Sequence, residues 1–536
     1  MKMKRILSII CACALSGAAA MAQSENFKLA QSLDIQNSVL RQLATSYVDT
    51  LDFDKLIKTG IDAMLESLDP YTVYFPEELE DDVEMMTTGI YGGVGALIKK
   101  RPGEGVLITQ PYANTPGVKA GLQPGDTIFS INGNYVYDLS SEECSNRMKG
   151  QPGTDVEFKV IKGGATDTTL ITVHRDLVHV SSIDYYGLYR DTLGYVSVNG
   201  FTQKMTEELR AAIEDLKSQG AKRLILDLRS NGGGLMDEAV NMVSLFVPKG
   251  TLAVSSKGRQ GEMNKEYRTT KEPVDTEIPI LVMVNSGTAS SSEIFAGALQ
   301  DLDRAVIGGK RSFGKGLIQT ILPTSYNGAV KVTTGKYYTP SGRCVQAIDY
   351  SHRNSDGSVG AVPDSLIKEF KTANGRTVKD GGGITPDIIA EAHTFSRPAY
   401  SLVMNDITGD YALKYFIEHK SIAPASEFYM TDEEYEDFIE YAQTREFDFR
   451  SGIKAELDNL IKAAKYDGFY DSCKEEIDAL AKSVDIDKAT TLRNNKAEIK
   501  HLLEAEIVQK YYYQAAGVVV ELRNDEQLDN VLKEWK

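Results

Sequence analysis

The order of elements along the chain predicts a multidomain α/β protein with helical regions at both ends. Three observations carry this reading. A chain of 536 residues is too long for one compact core and divides into three or four at about 150 residues per domain. Residues 88–178 hold short strand-like runs separated by glycine turns. Residues 179–395 alternate apolar runs with amphipathic helices, the pattern of a largely parallel sheet.

The elements follow in order. Lys2, Lys4 and Arg5 precede the apolar run Ile6–Leu15 and the small-residue site Ala20-Met21-Ala22. This predicts a secretory signal peptide over residues 1–22, too short in its apolar part to span a bilayer. The mature chain is then expected to be soluble and periplasmic. Residues 23–87 are expected to be helical, with helices over Phe27–Val48 and Leu51–Leu68. Asp69-Pro70 ends the second, because a residue before proline avoids helical backbone.

Residues 88–178 form the β-rich module. Its predicted strands include Gly105–Ile108, Thr127–Ile131, Val156–Val160 and Leu170–Val173, with turns at Gln123–Asp126 and Asn132-Gly133. In residues 179–395, strands are expected at Leu193–Val198, Leu224–Leu228, Pro279–Val284, Ala305–Ile307, Gly316–Leu322 and Ala329–Tyr338. Helices are expected at Thr206–Ser218, with Thr206 as its cap, at Leu235–Phe246 and at Ser290–Asp301. Residues 396–536 are charged and helical, with amphipathic helices near Tyr411–Glu418, Glu433–Arg445, Gly452–Ala464 and Lys496–Tyr513.

Charge and composition exclude several classes. A net charge of −17 gives no basic footprint, so no nucleic-acid partner is expected. Cys11 and Cys13 leave with the signal. Cys144, Cys344 and Cys473 remain, an odd number read as small buried residues with at most one bridge. His174, His179, His352, His393, His419 and His501 show no ligand spacing, so neither a metal nor another cofactor is expected.

Two segments of the core carry chemistry. Ile280–Val284 reads as a buried central strand, and Asn285-Ser286-Gly287 turns the chain into a helix that begins near Ser290. A serine there exposes its hydroxyl above a sheet, beside free N–H groups. Ser290-x-x-Glu293 also fits a capping box, in which the serine only satisfies a helix terminus. Lys315 lies between Gly314 and Gly316 at the entry to an apolar strand. Carried inward, its amine loses charge to desolvation and can accept a serine proton; left outward, it is a surface lysine in a hairpin. A third segment, Asp227–Leu235, ends a strand in Gly232-Gly233-Gly234, which offers either N–H groups to an oxyanion or a tight turn.

In the β-rich module, Tyr91-Gly92-Gly93-Val94-Gly95-Ala96-Leu97 places glycines beside a strand, a nest for a carboxylate. Ala120-Gly121-Leu122-Gln123-Pro124-Gly125-Asp126-Thr127-Ile128 follows. The module closely resembles a PDZ domain. That resemblance implies that a polypeptide substrate with an apolar C-terminus adds as a strand and meets Gly93, Val94, Gly95, Ala96 and Leu97.

More broadly, the chain resembles the carboxy-terminal processing proteases, serine peptidases with a Ser–Lys dyad and a crotonase/Clp-protease-like sheet. The matching motifs run in order: Ser-Leu-Asp-Pro at 67–70, the PDZ segment, Asp-Leu-Arg-Ser-Asn-Gly-Gly-Gly at 227–234, Thr-Ala-Ser-Ser-Ser-Glu at 288–293, Phe-Gly-Lys-Gly at 313–316, Tyr-Tyr-Thr-Pro-Ser-Gly-Arg at 337–343 and Gly-Ile-Thr-Pro-Asp at 383–387. The resemblance implies Ser290 as nucleophile, Lys315 as general base and Gln319 as the residue orienting the amine. It implies the Gly233 and Ser291 N–H groups as oxyanion donors. Two departures stand out. The usual S-A-S-A-S-E reads T-A-S-S-S-E, which leaves Ser291 and Ser292 as rival nucleophiles. Gly232 replaces the usual proline before the paired glycines. The resemblance further implies that the PDZ domain gates the site. Helical ends around such a core suit a homo-oligomer or a periplasmic adaptor.

Rival readings are weaker. Gly309-x-x-x-x-Gly314-Lys315 nearly spells a phosphate loop, but Gly316 stands where Ser or Thr would hold magnesium. Ser312-x-x-Lys315 fits the motif of penicillin-binding proteins, but the glycines oppose the helix that motif needs, and Lys58-Thr59-Gly60 lies upstream of it. A non-catalytic periplasmic peptide-binding adaptor is the remaining alternative, opposed by the intact Ser290, Lys315 and Gln319.

Overall fold

The computed structural model describes residues 26–77, 80–259, 261–447, 452–484 and 487–536. The signal-peptide reading of residues 1–22 lies outside the described residues. The chain divides into two compact units at Tyr74/Phe75. The first holds helices over 26–46 and Phe53–Glu66. Asp52 caps the second helix, its carboxylate accepting Lys55 N–H at 3.1 Å. Beyond the helix, buried Asp69 accepts the N–H groups of Tyr71 and Thr72, which sets the turn after the predicted stop. The helical N-terminal region was expected to reach residue 87. Its last helix, Glu80–Thr88, instead belongs to the second unit.

Within the second unit the PDZ region is a curled antiparallel sheet. Its main path runs Ala96–Lys100, Val106–Pro111, Thr127–Ile131, Asp155–Ile161, Thr168–His174. Alternate residues of these strands, among them Val106, Ile108, Ile128, Val156 and Phe158, fill one core. The strand Ala96–Lys100 is an edge, and the capped helix Ser141–Met148 lies beside it.

The α/β core is built on a six-stranded sheet in the order Ile183–Tyr189, Leu193–Val198, Arg223–Asp227, Ile280–Val284, Val306–Gly309, Ile388–Ile389. The first pair is antiparallel and the rest are parallel. The central strands read as unbroken apolar runs because both faces are covered. Leu224, Leu226, Val282 and Val284 pack with the helices Met205–Ser218, Met236–Ser244 and Ser291–Asp301. Their neighbours Ile225, Leu281 and Met283 pack against Leu528, Val531 and Trp535 from the end of the chain. The second face of this sheet is thus covered by the helical C-terminal region.

One expected cap is not formed. The helix begins at Met205 after Lys204, and Thr206 lies inside its first turn. Both the N–H and the hydroxyl of Thr206 donate to Glu238 Oε2, so a tertiary acceptor replaces the local one. The helix expected at Tyr411 starts one turn earlier, at Ile407. Cys144, Cys344 and Cys473 are free thiols; only Cys144 is fully buried.

The PDZ region is fastened to the C-terminal helices. Lys99 pairs with Asp406 and Asp410, Arg101 pairs with Asp410, and Gln110 Nε2 donates to the Gln509 carbonyl at 3.0 Å. Ile417 packs where Gly125, Gly163 and Gly164 leave room.

Candidate active site

Three adjacent parallel strands, Arg223–Asp227, Ile280–Val284 and Val306–Gly309, end on the same side of the sheet. Their following loops, 228–235, 285–290 and 310–316, meet there, as ligand sites of open α/β sheets do. The loops are stitched by hydrogen bonds. Ala289 N–H donates to the Asn231 carbonyl at 3.0 Å, and Phe313 N–H to the Thr288 carbonyl at 2.9 Å. Thr288 Oγ1 donates to the Leu228 carbonyl at 2.7 Å.

These loops and the ribbon formed by Leu317–Pro323 and Ala329–Tyr338 enclose a cavity of about 400 Å³. Ser290, Ser291, Lys315, Gln319 and Gly232–Gly234 all line it. The residues named as catalytic are separated in sequence and are brought to one space.

Ser290 holds a left-handed backbone, φ 59° and ψ −119°, directly before the helix Ser291–Asp301. A non-glycine residue in that region is strained, and a strained strand-to-helix turn is how nucleophile elbows expose a hydroxyl. The expected capping box is present: Glu293 Oε2 accepts Ser290 N–H at 2.9 Å, the Ser290 side chain faces Glu293 N–H, and that N–H also donates to the Ser290 carbonyl at 2.8 Å. The rival serines are committed elsewhere. Ser291 Oγ donates to the Gly234 carbonyl at 2.8 Å, and Ser292 Oγ, wholly buried, to the Asn231 carbonyl at 3.0 Å. Their hydroxyls pin the helix to the glycine loop.

Sequence reasoning saw in Glu293 only a helix cap. The structure makes it the joint of the site. Its buried carboxylate accepts four hydrogen bonds: Ser290 N–H and Lys315 N–H (2.8 Å) on Oε2, Ser312 Oγ (2.6 Å) and Gly314 N–H (2.7 Å) on Oε1. Burial pushes its pKa up, and the four donors pull against that shift. One oxygen therefore holds the backbones of Ser290 and Lys315 together. Buried Tyr337 adds a hydrogen bond from its hydroxyl to the Ser290 carbonyl at 3.1 Å. Lys315 is half-buried, and Gln319 Nε2 donates to Thr333 Oγ1 at 3.2 Å.

The two expected oxyanion donors differ. Ser291 N–H lies in the first helical turn, where no intrahelical acceptor exists. Gly233 N–H is instead donated to Asn231 Oδ1 at 2.9 Å, so in this structure it is held by an Asx turn and not offered to the cavity. Gly233 is nonetheless required. It adopts φ 98°, and a Cβ there would sit 2.8 Å from Ser290 Cβ and from Ser291 N. A Cβ on Gly232 meets nothing within 4 Å. The loop base is held by Arg229, which pairs with Asp227 and with Asp525 of the C-terminal region.

The other motifs are absorbed structurally. Ser312 is buried, donates to Glu293 and accepts Ile384 N–H, which occupies the hydroxyl of the Ser312-x-x-Lys315 pattern. Lys315 is followed by a strand and not by the helix a phosphate loop needs.

A second cavity, of about 260 Å³, lies in the PDZ region between the edge strand and the helix Ser141–Met148. Val94, Ala96, Leu97, Ile98, Tyr112 and Met148 are among its lining. Of the expected peptide contacts, Gly93 and Gly95 do not line it. Gly95 turns the chain at φ 77°, where a Cβ would strike Thr115 at 2.5 Å. Met85 reaches this cavity from the helix Glu80–Thr88, whose Met86 and Thr87 line the catalytic one.

Residues 192–351 match the family model of peptidase family S41, residues 80–173 that of the PDZ domain, and residues 398–533 the C-terminal helical domain of a "probable PDZ-protease". The chain is similar to the carboxy-terminal-processing protease of Bartonella bacilliformis, 36% identical over 62% of this chain and 74% of the relative. It is similar to the carboxy-terminal processing protease CtpA of Bacillus subtilis, 32% identical over 72% of this chain and 86% of that one. Among solved structures, the photosystem II D1 C-terminal processing protease is 28% identical, covering 66% of this chain and 86% of that chain with a TM-score of 0.36.

Proposed function

This chain belongs to the carboxy-terminal-processing proteases of peptidase family S41 and is a serine-type peptidase with a PDZ domain; from that premise we propose that it captures the apolar C-termini of polypeptides and cuts them with Ser290 and Lys315. The observation that carries the catalytic part is Glu293, whose one oxygen bonds the N–H groups of both residues above a shared cavity.

In this mechanism neutral Lys315 takes the Ser290 proton as the hydroxyl attacks the scissile carbonyl. Gln319, its amide steadied by Thr333, accepts from the lysine and aims it. Ser291 N–H receives the oxyanion, and Gly233 N–H, which is bonded to Asn231 Oδ1, joins it on leaving that acceptor. The lysine ammonium protonates the leaving amine. The same lysine then activates the water that releases the acyl group.

Recognition rests on the open edge of Ala96–Lys100 and the apolar cavity beside it, where an extended tail would add as a strand. Export to the periplasm rests on the N-terminal basic, apolar and Ala-Met-Ala segments. N-terminal sequencing of periplasmic protein should begin at Gln23, and an uncleaved cytoplasmic product would refute export.

The test of the chemistry is digestion of an unfolded protein with an apolar C-terminus by wild type, Ser290→Ala and Lys315→Ala. Wild type should cut and both variants, still folded, should be inactive. Cutting by Ser290→Ala would refute the assignment. If Ser290→Ala cuts while Ser291→Ala does not, the nucleophile is the neighbouring serine.

A further inference from the structure

The catalytic cavity holds a charge that the proposed chemistry does not use. Besides Lys315, its lining contains Lys331. The rest of the lining is apolar side chains, glycines, hydroxyls and Gln319; among the described residues that line it there is no Asp or Glu. Lys331 is half-buried, and desolvation pushes its pKa down. Among the described residues it forms no ion pair. Its ammonium lies over the Phe75 ring, 5.7 Å from the centroid.

The register of the ribbon says where this cation stands. Gln319 pairs with Thr333, and Ile321 with Lys331. Directly opposed residues of an antiparallel pair share a face. Gln319, Ile321 and Lys331 line the same cavity, so Lys331 stands one same-face step beyond Gln319. Such a step is about 7 Å along the ribbon, the span of two residues of an extended substrate.

We propose that Lys331 is a specificity-determining residue that receives a carboxylate of the substrate two or three residues from the scissile bond. The proposal rests on the assignment of the cavity around Ser290 as the cleavage site. Among the described residues that line the cavity no carboxylate balances this cation, and a carboxylate delivered by the substrate would complete it. An acidic side chain or the terminal α-carboxylate of a short tail offers the same chemistry. The PDZ cavity selects which chain end is captured; Lys331 selects where the captured chain is cut.

The experiment measures kcat/KM on peptides that share one apolar C-terminus and carry Glu, Gln or Lys at each position flanking the cut. A second set is neutral, ends two or three residues past the cut, and is compared as free acid and amide. Wild type should prefer Glu over Gln at one position by about tenfold, the ratio that one partly desolvated charge pair supplies. Lys331→Met should bring that ratio to about one. Lys331→Glu should invert it in favour of Lys. If the free-acid set alone shows the preference and loses it in Lys331→Met, the carboxylate is the chain terminus. A Glu/Gln ratio unchanged by both variants overturns the proposal. Cleavage that persists in Ser290→Ala overturns the site assignment instead, so the two failures are told apart.

Discussion

The PDZ cavity and the catalytic cavity lie in one compact unit, yet they are built on opposite principles. The first is assembled mainly from neighbouring pieces of one module, an edge strand, a glycine turn and a helix that all fall within residues 90–150. Its binding capacity is generic, because an open strand edge offers main-chain hydrogen bonds to any extended peptide. The second takes residues from positions 86–87, 232–236, 290–294, 315–321 and 331–337. It is held by single atoms: one carboxylate oxygen joins Ser290 to Lys315, and one α-carbon without a side chain lets Gly233 approach both Ser290 and Ser291. A site of the first kind should weaken gradually when altered. A site of the second kind should fail abruptly. The helix Glu80–Thr88 touches both, with Met85 in one cavity and Met86 in the other.

The largest contrast is expected at Gly233. A side chain there would press on Ser290 and on the Ser291 N–H from 2.8 Å, at a positive φ. Gly233→Ala should lower kcat/KM by about 10³-fold, the effect of losing an oxyanion donor, while peptide binding to the PDZ cavity stays within twofold. Tail-peptide binding followed by fluorescence polarisation, beside steady-state cleavage, measures both. Loss of both together would show that the two regions are not separable.

Next comes Glu293→Gln. The amide keeps the volume but turns a donor toward N–H groups that need acceptors, leaving at least one of them buried and unpaired. A loss of about 1–3 kcal/mol in stability is expected for each orphaned donor. Activity should fall about 10²-fold through misplacement of Ser290 and Lys315. Denaturant unfolding and turnover on the same preparation separate the two effects. Wild-type turnover in the variant would remove Glu293 from its positioning role.

The PDZ cavity should respond more mildly. Ile98→Asp puts a charge into its apolar lining, and kcat/KM on apolar-tailed substrates should drop about tenfold. Reaction of Ser290 with a small serine-directed probe should be unaffected. A loss of probe labelling would show that the recognition cavity also shapes the catalytic one.

The smallest effects are expected at the rival serines. Ser291→Ala and Ser292→Ala each remove one hydrogen bond to the glycine loop and should cost about 1 kcal/mol, more at the wholly buried Ser292. Both keep the backbone N–H and should remain active. An inactive, folded Ser291→Ala would move the nucleophile.

Much of this architecture is readable without coordinates, for local reasons. The strand Ile280–Val284 and the ribbon strand Ala329–Tyr338 stand where their apolar patterns place them. The PDZ module is likewise marked by its own glycines and turns. Where expectation and structure part, a distant partner decides. Thr206 is a good cap by type, but Glu238 takes its N–H and hydroxyl and moves the helix start to Met205. Glu293 reads as a capping residue because its spacing from Ser290 is local, whereas its other partners lie about twenty residues downstream. The C-terminal helices carry no legible motif, and yet Leu528, Val531 and Trp535 close a face of the catalytic sheet.

By itself the sequence determined the order of domains, a serine and a lysine in loops that follow core strands, and the glycines that allow close approach, because these depend on backbone geometry and short-range patterning. Tertiary structure alone decided that Ser291 and Ser292 are bonded to the glycine loop, that Gly233 N–H is held by Asn231, and that Lys331 shares the cavity of Ser290 and Lys315. Those outcomes depend on hydrogen bonds and burial between residues far apart in the chain, and no local pattern encodes such partners.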